Sequence, residues 1–196
     1  LEKGEVLFRK GETGNHLYAI NEGLLKISVE DGVTGREKTL ALLSQNEIVG
    51  EMAVFGDQNR SGKAIALKPT ELLSMPEENV LKMLKEHPQI GLNLIKILSE
   101  RLMMTDEEIQ TVTFQTIPGR LAAQLLRLGE TFGEIDDENP SISIGIDLTH
   151  EQLADLVGTN RETITRYLGQ FKSEGSISVE NQRITIEQKK QLEQWM

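Results

Sequence analysis

The stretch LTHEQLADLVGTNRETITRYLGQF, from Leu148 to Phe171, decides the fold of the C-terminal part of this chain. Thr149, followed three residues later by Gln152, forms a capping box that predicts the start of a helix. Counted from His150, a small residue, a glycine and a branched residue stand at the fifth, ninth and fifteenth places, namely Ala154, Gly158 and Ile164. A small residue lets two helices cross closely, a glycine makes the turn, and a branched residue packs back on the first helix. The spacing predicts a helix-turn-helix.

The second helix of this motif, from about Asn160 to Lys172, is predicted to expose a face of mixed charge. Its polar side chains cluster near the N-terminal end of the helix. They are Arg161, Glu162, Thr165 and Arg166. Arginine binds guanine O6 and N7 with two hydrogen bonds, and glutamate accepts one from cytosine N4, so the set suits the major groove of DNA. The alternative is a solvated helix face that binds nothing. After Gly175, the β-rich runs 177–179 and 183–186 predict a β-hairpin wing.

The charge of the chain restricts where nucleic acid can bind. There are 21 Lys and Arg against 31 Asp and Glu, a formal net charge of −10, which argues against a general polyanion binder. Residues 120–158 hold 2 basic and 8 acidic residues, whereas residues 159–172 hold 3 basic and 1 acidic. We therefore expect DNA binding to be confined to a short positive segment, and to be weak and strongly salt dependent.

The N-terminal residues, up to about Met75, predict a domain of antiparallel β-strands. Short β-rich runs alternate there with glycine turns, and no helical pattern separates the early strands. The runs are 6–8, 17–20, 24–29, 39–43, 64–67 and 72–75. This pattern is typical of a β-sandwich, barrel or jelly roll. A helix is predicted to begin at Pro76-Glu77-Glu78.

The next segment predicts a long helix with an apolar seam. Its seam residues follow one another at spacings of 4 and 3 over three heptads: Gly91, Ile95, Leu98, Leu102, Thr105, Ile109 and Val112. Such a repeat favours self-association as a parallel homodimer. The alternative is an amphipathic helix that packs on its own β domain. The polar seam residue Thr105, with Asp106 beside it, either sets the register of the pair or points its hydroxyl at a ligand.

The predicted fold is α+β, with an N-terminal β roll, a long dimerisation helix and a C-terminal winged helix-turn-helix. Ile117-Pro118-Gly119 is predicted as the turn between the helix and the DNA-binding part, and a fresh helix is predicted from Arg120 to about Leu128. The expected domains are therefore residues 1–86, 87–116 and 117–196. The acidic segment 134–140 is predicted to be a solvated loop.

The composition excludes several classes of site. The chain has no cysteine, so disulfides, thiolate metal sites and cysteine-held iron–sulfur clusters are excluded. The three histidines, at positions 16, 87 and 150, are scattered; we expect surface or capping roles for them, no metal or haem, and no enzyme activity. No apolar run is long enough for a membrane helix, no secretory signal is visible, and a cytoplasmic protein is expected. Because the chain begins at Leu1, we expect residues to precede it.

Two segments closely resemble the CRP/FNR family of bacterial transcription regulators. They are GEMAVFGDQNRSG, from Gly50 to Gly62, and GTNRETITRYLGQF, from Gly158 to Phe171, and the resemblance runs over nearly the whole chain. The first resembles the phosphate-binding cassette of the family. The resemblance implies that Glu51 accepts from a ribose hydroxyl and that Arg60 and Ser61 hold a cyclic phosphate. It also implies that backbone amides near Gly50 and Met52 assist, and that Thr105 reaches the purine base.

The resemblance also implies partners and an effector. Arg161, Glu162 and Arg166 would read base edges in a palindrome with half-sites like TGTGA, and Thr165 would meet a phosphate or a thymine methyl. The other partners implied are a second copy of the chain and RNA polymerase. The effector implied is a cyclic nucleotide, cAMP ahead of cGMP.

Two observations leave the effector open. Asp106 stands where the cAMP-responsive pattern has serine, and an anionic side chain near the base favours a purine with more donors or weakens nucleotide binding. Arg60 has an alternative partner in a protein carboxylate such as Glu51, which would make the pocket vestigial and the regulator independent of an effector.

Overall fold

The computed structural model describes residues 1–56, 58–136 and 139–196 of the chain. The chain divides into two compact units, Leu1–Leu102 and Met103–Met196. The first unit is built mainly of β-strands, and the second mainly of helices with a small sheet. The predicted α+β class, with a β domain, a long helix and a helix-turn-helix, is confirmed.

In its described part, the first unit contains seven short strands. They are β1 Val6–Phe8, β2 His16–Glu22, β3 Leu25–Glu30, β4 Glu37–Leu43, β5 Ile48–Val49, β6 Lys63–Ala66 and β7 Glu71–Pro76. Within the described residues of this unit they form a four-stranded sheet of order β1-β6-β3-β4 and a three-stranded sheet of order β5-β2-β7. The pairings are antiparallel, as the sequence predicts.

The core of the first unit follows from the alternation of side chains along these strands. Leu25 and Ala64 are fully buried, and Ile20 is nearly so. Together with other apolar residues they form one cluster, which comprises Phe8, Ile20, Leu25, Leu43, Val49, Ala64 and Ala66. Because successive residues of a strand face opposite sides, this cluster fills the space inside the roll.

A partly buried ionic cluster lies on β3, β4 and β6. The Glu37 carboxylate accepts hydrogen bonds from Lys26 Nζ at 2.7 Å and from Ser28 Oγ at 2.6 Å, and Lys63 Nζ lies 3.4 Å away. Burial of the carboxylate opposes its ionisation, yet the two hydrogen bonds and the lysine charges outweigh burial and lower its pKa to about 2. Glu37 therefore stays ionised throughout the physiological range.

Three of the described helices belong wholly or partly to the first unit. They are α1 Glu51–Phe55, α2 Glu77–Glu86 and α3 Pro88–Phe114. Helix α2 begins one residue later than predicted, because Pro76 stands at its N-cap and only Glu77 and Glu78 lie in its first turn. Helix α3 begins at Pro88 after a break at His87. The 27 residues of α3 include none that is buried. Large apolar side chains on it are well exposed, among them Ile95 (61%), Leu102 (63%) and Ile109 (60%).

The second unit is a helical domain with a four-stranded antiparallel sheet among its described residues. Its elements after α3 are α4 Ile117–Phe132, β8 Gly133–Asp136, β9 Asn139–Ile144, α5 His150–Val157, α6 Arg161–Ser173, β10 Ile177–Glu180, β11 Arg183–Ile186 and α7 Lys189–Glu193. The sheet order is β10-β11-β9-β8. Its core includes Leu121, Leu125, Leu153, Ile164 and Phe171, each fully buried. The predicted wing is confirmed as β10 and β11.

Two local predictions in this unit are wrong. Residues 117–119 are not a turn but the first turn of α4, because the Thr116 hydroxyl caps the helix by accepting from Gly119 N at 3.4 Å, and proline is well tolerated there. The predicted loop 134–140 instead contains parts of β8 and β9, which gain a place in the sheet because β9 pairs with β11. Residues 137 and 138 of that segment lie outside the described ones.

Across the described residues, we find no helix with the length and apolar character needed to cross a lipid bilayer.

Candidate functional site

The turn between α5 and α6 has the geometry that the sequence predicts. Thr149 Oγ1 accepts from Gln152 N at 3.2 Å, and Gln152 Oε1 accepts from Thr149 N at 2.8 Å, which completes the capping box. Gly158 ends α5 in the left-handed region at φ 76°, where a side chain would be strained. Its N–H and that of Thr159 both donate to Ala154 O. The two helices of the motif are therefore fixed by local hydrogen bonds.

Helix α6 presents a polar face to solvent. Asn160 Oδ1 caps the helix by accepting from Thr163 N at 2.8 Å. The opposite face is buried through Ile164, Leu168 and Phe171. All four predicted DNA-contacting residues are exposed and share the N-terminal half of α6: Arg161, Glu162, Thr165 and Arg166. The Arg166 guanidinium lies over its neighbour Tyr167, 4.8 Å from the ring centroid.

A groove of about 490 Å³ runs between the start of α5, the start of α6 and the wing. His150, Arg161 and Gln182 are among its lining residues. His150 Nδ1 lies 2.7 Å from Thr165 Oγ1, so the first helix of the motif is joined to the exposed face of the second. From the sequence alone, only a surface or capping role is expected for His150. Its position fifteen residues before Thr165 gives no sequence signal of this contact.

In the β domain, Arg60 is 5% exposed and bonds to backbone oxygens rather than to a carboxylate. Nη1 donates to Gly50 O at 3.1 Å and Nη2 to His16 O at 3.0 Å. The guanidinium lies 4.4 Å from the Phe8 ring centroid and 5.6 Å from that of Tyr18. Burial lowers the pKa of Arg60, and nearby negative charge opposes this only in part. The alternative pairing of Arg60 with Glu51 is absent among the described contacts.

Two glycines make room for this arginine. A Cβ on Gly14 would overlap the Arg60 guanidinium, and a Cβ on Gly50 would overlap Nη1 and lie 2.9 Å from His16 O. Gly50 also has φ 92°, which disfavours any side chain. Glycine is therefore required at position 50 for two reasons: its backbone conformation disfavours a side chain, and a side chain would collide with Arg60.

Glu51 pairs with a residue that the sequence analysis missed. Arg101 Nη1 donates to Glu51 Oε1 at 3.0 Å, and Arg101 Nη2 donates to Ile48 O at 2.6 Å. Glu51 is 8% exposed. A signal for Arg101 existed, since it stands four residues before Thr105 and such residues share a helix face.

The remaining predicted effector residues have unequal surroundings. Ser61 is exposed and its hydroxyl donates to Met52 Sδ at 3.1 Å, a weak acceptor. Thr105 and Asp106 lie on α3 in the second unit, so their role at the pocket stays a prediction. The predicted cassette also includes Asp57, which lies outside the described residues. Over the part of the chain that the structure describes, no three His, Asp or Glu side chains cluster to hold a metal ion.

Comparison with known proteins agrees with this geometry. The model of the cyclic nucleotide-binding domain matches residues 1–87, and the model of the Crp-like helix-turn-helix domain matches residues 119–195. A CRP-like cAMP-activated global transcriptional regulator of Mycobacterium tuberculosis is 31% identical over 190 residues, which are 97% of this chain and 84% of the relative. A global nitrogen regulator of Synechocystis sp. is 33% identical over 187 residues, 94% of this chain and 82% of that protein.

A solved structure extends the likeness to three dimensions. A CRP/FNR-family transcriptional regulator from Thermus thermophilus superposes with a TM-score of 0.75 at 28% identity, covering 99% of this chain and 96% of the other. The β domain followed by an exposed helix-turn-helix defines a DNA-binding transcription regulator, a class that controls transcription and is not enzymatic. The chain belongs to the CRP/FNR family.

Proposed function

We propose that the protein is a homodimeric, sequence-specific regulator whose DNA affinity is switched by a cyclic nucleotide bound in the β domain. The observation that carries the proposal is Arg60, a buried cation that has no carboxylate partner among the described residues. A buried charge is costly unless an opposite charge compensates it. An anionic ligand that reaches this guanidinium would remove much of that cost.

The groups around Arg60 have hydrogen-bonding capacity to spare. A guanidinium carries five N–H donors, and two of those of Arg60 are bound to carbonyls. If the Ser61 hydroxyl turns to donate to a phosphate, it loses only its hydrogen bond to the weak sulfur acceptor of Met52. The Glu51 carboxylate accepts from Arg101 through Oε1 and has further acceptor capacity for a ribose hydroxyl. We assign the cyclic phosphate to Arg60 and Ser61, helped by the backbone at Gly50 and Met52.

We assign contacts with the purine base of the cyclic nucleotide to Thr105 and Asp106 on α3. The Thr105 hydroxyl can donate or accept, whereas the Asp106 carboxylate only accepts. We favour cAMP over cGMP because the Mycobacterium tuberculosis relative is described as cAMP-activated. Asp106 is the residue that would change this preference.

DNA would be read by the exposed half of α6. We assign base-edge contacts to Arg161, Glu162 and Arg166, with Thr165 beside them. Two copies of α6 in a dimer would enter successive major grooves, with half-sites like TGTGA about 34–36 Å apart. The seam of α3 would join the copies, since its apolar residues are exposed in the single chain. Such a regulator would act in the cytoplasm and contact RNA polymerase through exposed loops.

The switch requires unequal effector affinity for two states. If the DNA-competent state binds the nucleotide about 100-fold more tightly, saturation shifts the equilibrium by about 2.7 kcal/mol. A ligand without such a difference shifts nothing, however tightly it binds.

A second candidate is an effector-independent regulator. Arg60 and Glu51 already have protein partners, and a relative of comparable identity is a nitrogen regulator rather than a cAMP-activated one. Calorimetry with cAMP and cGMP distinguishes the two candidates, because tight DNA binding without heat from either nucleotide supports the second.

The direct test is titration of a palindromic duplex with TGTGA half-sites, with and without each nucleotide. For the wild type we expect cAMP to strengthen binding about 100-fold. Arg60→Leu should abolish that response, while the matched variant Arg36→Leu, which removes an exposed arginine of the β3–β4 hairpin, should keep it. A full response in Arg60→Leu would remove Arg60 from the pocket.

Base reading is tested by Glu162→Ala. We expect relaxed preference at one half-site position, worth about 1–3 kcal/mol of discrimination, measured by binding to duplexes with single substitutions. Glu174→Ala removes the same charge beyond the other end of α6 and should leave base preference unchanged. Equal changes on every duplex in Glu162→Ala would instead indicate a general electrostatic role.

A further inference from the structure

His150 occupies a position between the two helices of the DNA-binding motif. It is the first residue of α5, it is half-buried, and it lines the groove between the motif and the wing. Its partner Thr165 lies on the exposed face of α6, beside Arg161 and Arg166. A histidine held at this place is directed at the same surface as the residues proposed to contact DNA.

The hydrogen bonds of Thr165 determine which nitrogen of His150 carries a proton. A hydroxyl has a single hydrogen, and that of Thr165 is donated to Arg161 O at 2.9 Å. Thr165 Oγ1 therefore accepts from His150, so Nδ1 carries the hydrogen in the 2.7 Å contact. In the neutral ring Nε2 is then an acceptor, and only the protonated ring has an Nε2–H donor.

The surroundings of His150 leave Nε2 available to a ligand. Among the described residues, Nε2 makes no hydrogen bond. The charged side chains that line the groove with it are Glu151 on α5 and Arg161 on α6, one of each sign. The wing contributes Val179, Gln182 and Ile184, none of which is charged, and nearby Arg183 lies 3.7 Å from Asp147. A ligand that enters the groove can therefore meet Nε2 without displacing a hydrogen-bond partner among the described residues.

We infer that His150 binds a backbone phosphate of DNA through Nε2–H of the protonated ring, so that DNA binding takes up a proton at each copy of this residue. The inference rests on the DNA-contacting role proposed for α6. A neutral ring offers the phosphate an acceptor where a donor is needed, whereas the imidazolium offers a charge-assisted hydrogen bond. Protonation leaves the Nδ1–H bond to Thr165 in place, so the ring keeps its orientation in both forms.

The sign and size of the effect follow from this linkage. Because the complex holds the proton more tightly than the free protein, affinity is highest at low pH and falls as the pH rises through the range in which histidines titrate. If the phosphate binds the protonated ring tenfold more tightly than the neutral ring, raising the pH from 5.5 to 8.5 weakens DNA binding by close to tenfold for each His150. A phosphate contact carries no sequence information, so random-sequence duplex should show the same dependence as the palindrome.

The test measures the affinity of the full chain for both duplexes at fixed ionic strength from pH 5.5 to 8.5. In His150→Asn, the amide can still donate to Thr165 but cannot titrate, and we expect a flat profile at the weak, high-pH level. In His150→Arg, the charge is permanent, and we expect a flat profile at the strong, low-pH level. His87→Asn is the matched control, since His87 is exposed at the end of α2, and it should keep the wild-type profile.

The outcomes distinguish a failure of this inference from a failure of the proposed DNA contact by α6. A wild-type profile retained in His150→Asn, or a flat profile in the wild type itself, overturns the inference while leaving DNA recognition by α6 intact. A pH dependence confined to the palindrome overturns it as well, because it indicates a base contact. Failure of the wild type to bind either duplex at any pH contradicts the DNA-contacting face proposed for α6.

Discussion

Arg60 combines a full positive charge with surroundings that are largely apolar. Its guanidinium contacts two aromatic rings and donates hydrogen bonds to two backbone carbonyls. Two glycines leave the space that it fills. Carbonyl dipoles and ring faces stabilise a cation, but less than a carboxylate would. The residue is thus held in place without being neutralised, which is what an anion-binding group requires.

At the same scale, Glu37 predicts how the first unit responds to acid. Its folded-state pKa of about 2 lies below the ordinary value of 4.5, so its contribution to stability is present above about pH 4.5 and is lost as the pH falls towards 2. After allowance for solvent screening, we expect Glu37→Gln to lower the free energy of unfolding by about 1–2 kcal/mol at pH 7. Urea denaturation followed by circular dichroism measures this.

The matched variant for that prediction is Glu30→Gln on β3. Glu30 pairs with Glu37 across the strands and is exposed, so its loss should change stability by less than about 0.5 kcal/mol. A difference between Glu37→Gln and wild type that persists undiminished at pH 2 would contradict the role given to the carboxylate charge.

Single residues were predictable from sequence only as candidates. The cassette motif selects Glu51, Arg60 and Ser61, but their partners depend on chain segments distant in sequence. Arg60 bonds to His16 O, and Glu51 pairs with Arg101, a separation of 50 residues. No local pattern encodes these long-range contacts; for Arg101, only the helix face that it shares with Thr105 pointed to the pocket.

Among the elements, the capped pair α5 and α6 depends on a few hydrogen bonds at its ends. Removing the Thr149 hydroxyl leaves Gln152 N without its acceptor, and a lost N-cap costs about 1 kcal/mol. We expect Thr149→Ala to destabilise the second unit by that amount. Urea denaturation followed by the fluorescence of Trp195, the one tryptophan of the sequence, reports this unit because its ring packs 5.4 Å from that of Phe171.

Thr113→Ala provides the comparison for Thr149→Ala. Thr113 lies within α3, where its hydroxyl donates to Ile109 O at 2.7 Å and alanine is the better helix former. We expect a change within about 0.5 kcal/mol. If both variants lost the same stability, capping would not be the cause.

Long or strongly patterned elements were predictable, and short or context-dependent ones were not. The strands of the roll, the start of α2 and the capped α5 follow from alternation, proline and the capping box. Strand β5 has 2 residues and helix α1 has 5, too few for any periodicity to appear. Strands β8 and β9 were missed because their acidic residues resemble a loop, while the pairing of β9 with β11 is a tertiary effect.

For the whole molecule, the proposed dimer makes a sharp prediction on α3. Leu102→Glu keeps a good helix former but places a charge in the seam. Each copy then loses a leucine that the dimer would bury, worth about 1.5–3 kcal/mol. We therefore expect the dimer dissociation constant to rise at least 10-fold. Sedimentation equilibrium measures this directly.

The control lies one residue further along the helix. Met103 is 61% exposed, nearly as much as Leu102 at 63%, but falls outside the heptad positions of the seam. Met103→Glu should therefore leave the dissociation constant unchanged. Equal dissociation in both variants, or a monomeric wild type, would refute the assignment of the seam.

Because α3 has no buried residue, the stability of this helix would depend on the concentration of the protein. A helix of 27 residues that leaves its apolar side in water gains little from its own chain and owes its persistence to whatever covers that side. By mass action, a partner stabilises the helix more as its concentration rises, with a logarithmic dependence. Dilution would fray the helix before it unfolds the two units, so the number of molecules in the cell would act as an input to this regulator alongside its ligand.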